Sequence, residues 1–472
     1  MKLIKILLAF SLVVFTATSC EKALDINTNP LVASSADPNA LLPYIFVQYS
    51  NRHTTELGTR IMDVPQHIGF CFNSPRQGAT TAFLTGNTWR MYYTRVLGNL
   101  ELIEQDAAAA GVSSNNVAAI AKIMKAKSFF ELTSIWGDIP YSEALDGVSY
   151  PSPKFDSQED VLRGVVTTLD EAMELIDNIG DEVFDVTVGD MIYEGDMDAW
   201  RRWANSLKIR VLMLLRNKDS SVDSQLVTAI SQPVIETNSQ AAILRYLDTP
   251  GEANAWQRLI TAFFGGRNED AGVYSPTTIP YNLLKDKEDP RFDVLIYDPN
   301  DAGGSDVGEA VFNAPGSKAH VSNNVIRNDL PHIMMLPSEI SFYRAELALL
   351  GVTNEDAQAQ FEAGLRSILE FWGGDIPGAT ATISGDDIDN FIANYGTATL
   401  QDVHEQLYLE SFMRPIIAWN TVRRTKVPEM NAVPGTSIST ILKRFNYPPD
   451  EVASNINTPA NLPTDTPQWF EN

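Results

Sequence analysis

GDMDAWRRWANSLKIRVLMLLRNK (residues 195–218) is the most regular stretch of this 472-residue sequence. Its apolar residues recur at intervals of three and four, which places them along one face of a helix. The stripe consists of Trp200, Trp203, Leu207, Val211, Leu214 and Leu215, and Arg201, Arg202 and Lys208 lie off it. The stretch therefore predicts an amphipathic helix that buries a broad apolar face.

The same spacing recurs along most of the chain, in residues 87–110, 116–136, 157–179, 338–373 and 400–424. Ser157 and Asp160 form a capping-box arrangement at the start of one of these helices. Residues 338–373 predict a helix, a glycine turn and a second helix. Strand patterns are few, the best being AAILRYL (241–247) and FDVLIYD (292–298). The sequence thus predicts a mainly α fold of paired amphipathic helices, similar to tetratricopeptide units but without their 34-residue signature.

The N-terminus, MKLIKILLAFSLVVFTATSC (residues 1–20), has the features of a secretory signal peptide. Lys2 and Lys5 precede a short apolar core, and small residues lead to Cys20. This ending resembles a bacterial lipobox, which implies cleavage before Cys20 and attachment of lipid to that residue. Cys71 would then be the only remaining thiol, so no intramolecular disulfide could form. The alternative is an ordinary secreted protein in which the cysteine is incidental.

The chain is acidic, with a formal net charge of −25 that becomes −27 once Lys2 and Lys5 leave with the signal peptide. Such a charge favours solubility and repels phosphate backbones, so we expect no nucleic-acid partner. After Cys20, polar residues and prolines predict an extended tether. We expect a signal peptide over 1–19, a lipid-anchored tether over 20–40 and a single domain over 41–472.

Two stretches, at about 248–332 and 70–87, are rich in glycine, proline and asparagine and carry large aromatic residues. Long loops within a domain are usually functional or disordered, and the isolated aromatics favour function. Exposed aromatic rings stack on sugar rings or other planar ligands, and neighbouring polar side chains supply directional hydrogen bonds. The candidate ligand-binding residues are Phe72, Asn73, Arg76, Trp256, Phe263, Phe264, Arg267, Asn268 and Tyr274. For any one of these aromatics the alternative is a core position. We expect Trp256→Ala to weaken binding without unfolding the chain.

No recognisable catalytic motif appears. The five histidines lack metal-ligand spacing, and neither a nucleophile elbow nor a phosphate-binding glycine loop is present. A carboxylate pair for glycoside hydrolysis cannot be selected among 60 acidic residues. In DPNDAGGSDVGE (298–309), Asp298, Asn300, Asp306 and Glu309 match ligand positions of a calcium loop, and Gly303 matches its turn. Ala302 occupies another ligand position, so the alternative is a polar surface turn.

Several motifs together resemble the SusD/RagB family of outer-membrane lipoproteins, in its SusD-like branch. They are LDINTNP (24–30), WGDIPYSEAL (136–145), GDMDAWRRWANSLKIR (195–210), EDPRF (288–292), AWNTVRRTKVPEM (418–430) and KRFNYPPDEVASN (443–455). They span nearly the whole mature chain in the expected order.

The resemblance implies a SusD-like superhelix of tetratricopeptide-like helix pairs with a loop-rich ligand-facing region at about 248–332. It implies a non-catalytic protein, without a required cofactor, that is lipid-anchored to the outer membrane and faces the cell exterior. Such a protein captures a nutrient, most often an oligosaccharide and in some members a peptide. It passes the nutrient to a SusC-like TonB-dependent transporter. The shared motifs indicate structure and do not name the ligand.

Two other classes of function stay open from the residues alone. One is a secreted glycoside hydrolase or other enzyme on a helical scaffold, which would release product from a glycan. The other is a structural surface protein held together by helix packing, which would bind no small ligand saturably.

Overall fold

Helices make up most of the described chain. The computed structural model describes residues 37–58, 61–70, 81–180, 183–249, 251–306, 317–430 and 441–471. The α-helices are α1 Pro38–Arg52, α2 Ala82–Arg90, α3 Gly98–Ala110, α4 Asn115–Trp136, α5 Gln158–Asp177, α6 Met197–Arg216, α7 Asp223–Ile230, α8 Ala255–Phe263, α9 Asn268–Ala271, α10 Thr278–Asp286, α11 Arg291–Leu295, α12 Pro337–Leu349, α13 Ala357–Glu370, α14 Gly385–Tyr395, α15 Leu400–Glu410, α16 Pro415–Thr425 and α17 Pro449–Ser454. The predicted mainly α-helical fold is confirmed.

Consecutive helices pack against each other: α3 on α4, α4 on α5, α5 on α6, and α12 on α13. Residues from Pro38 onward form one compact unit. Because α1 begins at Pro38, the last residues of the predicted tether, 38–40, are helical. The predicted signal peptide, Cys20 and Cys71 lie outside the described residues. Within the described chain, no helix combines the length and apolar character needed to cross a membrane.

Helix α6 forms where the spacing of apolar residues in 195–218 predicted an amphipathic helix. Its first turn is capped by Asp196, whose carboxylate accepts a hydrogen bond from the Ala199 amide at 3.0 Å. The predicted stripe is buried: its six residues are between 0% and 3% exposed. On the other side, Arg201 and Lys208 form ion pairs with Asp177 and Asp170 of α5, at 2.8 and 2.6 Å. One face thus enters the core while the other is paired to the neighbouring helix.

The shared sequence motifs also have structural roles. Asn205 of α6 donates hydrogen bonds to the carbonyls of Ala229 and Pro233 at 2.8 and 3.0 Å, which ties α6 to the end of α7 and to the chain that follows it. Gly137 has a positive φ of 84°, and a Cβ there would lie 2.6 Å from Gln468 Oε1. A side chain at Gly137 would therefore meet both backbone strain and a steric clash.

Three π-helical segments adjoin α-helices of the described chain, one of them Phe371–Asp375 at the end of α13. Residues 87–110 do not form one continuous α-helix, because the π-helix Met91–Leu97 separates α2 from α3. A second π-helix, His53–Gly58, extends α1. The predicted helical run 400–424 is likewise divided at residues 411–414, where Met413 has a positive φ of 68°. Periodicity located the helices but not these interruptions.

The strands are short and pair in twos. They are β1 Ile68–Phe70, β2 Ala242–Leu244, β3 Tyr274–Pro276, β4 Ile296–Tyr297, β5 His320–Val321 and β6 His332–Met335. The pairs β1–β3, β2–β6 and β4–β5 are all antiparallel. In its described residues the loop-rich region 248–332 is thus more regular than predicted, since it contains four helices and the strands β3, β4 and β5. FDVLIYD forms helix α11 followed by β4 instead of one strand.

Two buried polar clusters join the helices. In the first, Glu131 accepts hydrogen bonds from Tyr49 and Tyr92 at 2.9 Å and from Lys127 at 2.5 Å. In the second, Glu339 lies between Arg210 and Arg414, at 2.6 and 2.8 Å. Both clusters satisfy charges that would otherwise be costly to bury.

The Glu339 cluster has a marked effect on proton affinity. Burial alone would raise the pKa of Glu339, but the charges and hydrogen bonds of Arg210 and Arg414 lower that pKa to about 2. His67 behaves differently, because burial, aided by the charge of Arg414, lowers its pKa to about 3 against the smaller opposing effect of a backbone hydrogen bond at Tyr408. Glu339 is therefore ionised and His67 neutral in the folded protein.

Candidate ligand-binding surface

Strands β1 and β3 bring together the two aromatic-bearing regions of the sequence. Phe70 pairs in register with Tyr274, and Ile68 with Pro276. On the far side of β3, Ser305 donates its amide to the Pro276 carbonyl at 2.9 Å. Residues 68–70, 274–276 and 305 are therefore neighbours although more than 200 positions separate the first from the second.

Helix α8 leads into this sheet and is anchored at its N-terminus. Asn254 caps it by accepting the Trp256 amide at 2.9 Å and donates to the Leu330 carbonyl at 2.7 Å. Trp256 is 4% exposed, and its ring meets Tyr274 edge-on at 5.0 Å. A Cβ at Gly58 would lie 2.6 Å from the Trp256 ring, so only glycine leaves room for that ring. Trp256 thus locks α8 to the π-helix His53–Gly58 and to β3.

The chain reverses directly after α8. Gly265 and Gly266 both have positive φ, 71° and 74°, a conformation that glycine adopts at little cost. Gln257 of α8 donates to the Gly266 carbonyl at 3.0 Å and holds the turn against the helix. Beyond the turn, Arg267 donates to the Asn323 carbonyl at 3.0 Å. The end of α8 and the turn are therefore held in a defined conformation.

Asn268, which follows this turn, holds neighbouring backbone segments together. Fully buried, it donates to the carbonyls of Tyr274 and Val321 at 2.9 and 2.7 Å and accepts from the Tyr274 amide at 2.9 Å. These hydrogen bonds of the Asn268 side chain are all made with backbone atoms of β3 and β5. It positions the surface and does not face a ligand.

Three residues at the end of α8 and in the turn lie at the protein surface: Phe263, Phe264 and Arg267. We call them the exposed aromatic surface. The Phe263 side chain is 74% exposed, Phe264 is half-buried and Arg267 is exposed. The exposed Phe263 ring keeps a flat apolar face available for contact with another flat surface. This surface therefore has the chemistry for stacking on a flat apolar face, with a guanidinium beside it as a donor.

Phe83, which is 62% exposed in α2, is a further aromatic residue at the surface and was not among the predicted ligand-binding residues. Helices α2 and α8 both pack against the π-helix His53–Gly58. The helical phase could have identified Phe83, because the buried positions of α2 include Leu84, Thr88 and Trp89, and residue 83 lies off the face that they share.

The structure corrects three of the predicted ligand-binding residues. Trp256, Asn268 and Tyr274 are 4%, 0% and 2% exposed, so the expectation that they face a ligand is wrong. Their role is to hold α8 and β3 in place. Phe263, Phe264 and Arg267 remain at the surface, and Phe72, Asn73 and Arg76 lie outside the described residues.

The predicted calcium segment is held by protein contacts. Asp298 accepts hydrogen bonds from the amides of Ala302 and Gly303 at 2.8 and 3.0 Å and from Tyr281 at 2.8 Å. Burial alone would raise the pKa of Asp298, but these hydrogen bonds lower it below its usual range. Asn300 and Asp306 are exposed, and Glu309 lies outside the described residues. Within the described ranges no group of three metal-binding side chains is found, and calcium binding stays a prediction.

The chain belongs to the SusD-like family. The family model described as "SusD-like_2: Starch-binding associating with outer membrane" matches residues 33–448. The description names binding to a glycan and association with the outer membrane, and it names no reaction. The family predicted from the sequence motifs is thereby confirmed.

Solved structures agree with this assignment at the level of the fold. The chain is similar to a chitin-binding protein, with a TM-score of 0.79 and 21% identity over 92% of this chain and 100% of that one. It is also similar to a SusD homologue from Bacteroides uniformis, with a TM-score of 0.77 and 20% identity over 92% and 98%. A third similar structure, a Bacteroidetes SusD-like protein, has a TM-score of 0.75 and 20% identity over 89% of this chain and 95% of that one. No curated protein sequence matches the chain.

Proposed function

We propose that this chain is a lipid-anchored, cell-surface glycan-binding protein that captures an oligosaccharide and delivers it to a SusC-like TonB-dependent transporter. The observation that carries the proposal is the exposed aromatic surface at the end of α8. The β1–β3 pairing joins the two regions that the sequence singles out for binding, and the buried Trp256 at the start of α8 packs against Tyr274 of β3.

The capture step is stacking assisted by hydrogen bonds. The Phe263 ring offers a flat apolar face to the C–H face of a sugar, and Arg267 offers donors to its hydroxyl groups. The turn at Gly265 and Gly266 is fixed by hydrogen bonds before ligand arrives, which lowers the ordering cost of binding. We expect modest affinity, because a delivered ligand must also be released.

Anchorage and delivery are the finer parts of the proposal. Lipid on Cys20 would hold the protein at the outer membrane, and the polar residues after it would give reach. Facing the exterior is what capture of an external nutrient requires. The resemblance of the sequence motifs to SusD/RagB proteins supports a SusC-like partner.

The test is a soluble form beginning at Glu21, applied to a panel of glycans and peptides with both retention and product release measured. Retention of a glycan without cleavage supports the proposal, and retention of a peptide alone would replace the ligand class. Cleavage would favour the enzyme alternative. Saturable binding of any ligand would exclude a purely structural role.

Phe263→Ala tests the exposed aromatic surface directly. We expect at least a tenfold loss of glycan affinity, since stacking contributes about 0.5–1.5 kcal/mol beyond area burial, and the lost burial takes the total past the roughly 1.4 kcal/mol of a tenfold change. Ile456→Ala is the matched control, because Ile456 is 91% exposed and belongs to a different part of the chain. Equal affinity of the two variants would contradict the assignment of the surface.

A further inference from the structure

A groove lies between residues 287–294 and helix α14. Its volume is about 460 Å³, and it shares no residue with the exposed aromatic surface. It is lined by Lys287, Glu288, Pro290, Asp293, Val294, Ala381, Thr382, Ile383, Asp387, Asn390, Phe391 and Asn394. Apolar, carboxamide and carboxylate groups thus face one space.

One wall of the groove is a single face of α14. Asp387, Asn390, Phe391 and Asn394 are spaced by three, one and three residues, which places them side by side on the helix. Phe391 is 9% exposed and packs edge-on against Tyr395 at 5.6 Å, so its ring forms an apolar floor. Asn390 and Asn394 are exposed and make no side-chain hydrogen bond within the described chain.

The opposite wall carries Glu288 and Asp293, beside the apolar Pro290 and Val294. Both carboxylates are exposed and have no ion pair in the part of the chain that the structure describes. The one lysine of the groove, Lys287, is already engaged by Asp402 at 2.9 Å. The groove therefore combines hydrogen-bonding groups that have no partner with a negative charge that is not neutralised locally.

Both walls are held rigidly. Arg291, fully buried, forms an ion pair with Asp289 at 2.5 Å and donates to Gln406 of α15 at 2.6 Å. On the other side, Ser384 caps α14 by accepting the Asp387 amide at 3.1 Å. A groove whose walls are fixed before binding loses little conformational entropy on binding.

We propose that this groove is a second saccharide site, selective for glycans without acidic groups. Carboxamides and carboxylates form hydrogen bonds with sugar hydroxyls, and Phe391 with Val294 offers an apolar surface to the C–H face. Glu288, Asp293 and Asp387 repel uronic or sulfated sugars. The inference rests on the proposed function and deepens it: a glycan chain long enough to reach both sites would gain avidity without a stronger contact at either.

The experiment is isothermal titration of the soluble form with maltohexaose and chitohexaose, and with hexagalacturonate as the acidic counterpart. Four proteins are compared: the unaltered chain, Phe263→Ala, Asn390→Ala/Asn394→Ala, and the combination. Gln225→Ala/Gln232→Ala is the matched control, since both carboxamides are exposed and line neither site. Equal urea midpoints establish that all variants fold alike.

We expect a neutral hexasaccharide to bind the unaltered chain at two sites per molecule. Asn390→Ala/Asn394→Ala should leave one site, and Phe263→Ala should leave the groove site, with at least tenfold weaker binding at whichever site is altered. Hexagalacturonate should not occupy the groove. An unchanged stoichiometry in Asn390→Ala/Asn394→Ala would overturn the groove and leave the proposed function standing.

The other outcomes are equally distinct. Binding of hexagalacturonate that depends on Asn390 and Asn394 would overturn the charge selectivity. Binding of neither neutral hexasaccharide by the unaltered chain would overturn the groove as a neutral-saccharide site and remove the support for glycan capture as well. Failure of the groove alone and failure of the proposed function therefore give different patterns.

Discussion

Trp256→Ala and Phe263→Ala form an informative pair, because the two aromatic residues stand in one helix, α8, with opposite exposure. Trp256 is 4% exposed and lies between Gly58 and Tyr274, whereas Phe263 is 74% exposed. A tryptophan side chain buries on the order of 150–250 Å², and each Å² contributes about 25 cal/mol. Trp256→Ala should therefore lower the free energy of unfolding by about 3–5 kcal/mol, as for other large-to-small core substitutions.

The assay is urea unfolding followed by far-ultraviolet circular dichroism, with glycan affinity measured on the same preparations. A loss of 3–5 kcal/mol changes the unfolding equilibrium constant by more than about 100-fold, which shifts the midpoint visibly at unchanged slope. Phe263→Ala should stay within about 0.5 kcal/mol of the unaltered chain, as expected at an exposed position, while losing affinity. An unchanged midpoint in Trp256→Ala together with weaker binding would contradict this expectation, since Trp256 would then act as a ligand contact.

Three further outcomes are expected from the buried groups. Glu339→Gln should destabilise the fold by about 3–5 kcal/mol, because the buried guanidiniums of Arg210 and Arg414 would lose their counter-charge; a urea midpoint equal to that of the unaltered chain would contradict this. Because the folded state holds His67 neutral, we expect the folded protein to lose stability in acid. Its folded pKa of about 3 is below the unfolded value of about 6.5, so its contribution is complete above pH 6.5 and falls by about 1.4 kcal/mol per pH unit as the pH drops from 6.5 towards 3. The difference in unfolding free energy between His67→Phe and the unaltered chain should change with pH at that slope, and a constant difference would show that His67 does not titrate this way. Gly58→Ala should cost about 1–3 kcal/mol, because its new methyl group would meet the Trp256 ring at 2.6 Å; a neutral effect on the midpoint would mean that the ring can shift freely.

The candidate surface was predictable only in part. Composition located the two aromatic-bearing regions, and Phe263, Phe264 and Arg267 do lie at the surface. The same composition gave no means to separate them from Trp256 and Tyr274, because an aromatic ring between glycines and prolines is equally suited to a core and to a binding face. The groove beside α14 was not found from the sequence at all, since its walls, residues 287–294 and α14, come from separate parts of the chain.

The sequence by itself determined the helices, their buried faces and the family. Helical periodicity is a local property, so the stripe from Trp200 to Leu215 could be read from spacing alone, and short shared motifs carried the resemblance to SusD-like proteins. Tertiary structure alone decided exposure within the loop-rich region. There, β1 pairs with β3 across more than 200 residues, and Gly58 makes room for the Trp256 ring. Burial depends on which distant segment covers a side chain, and no local pattern contains that information.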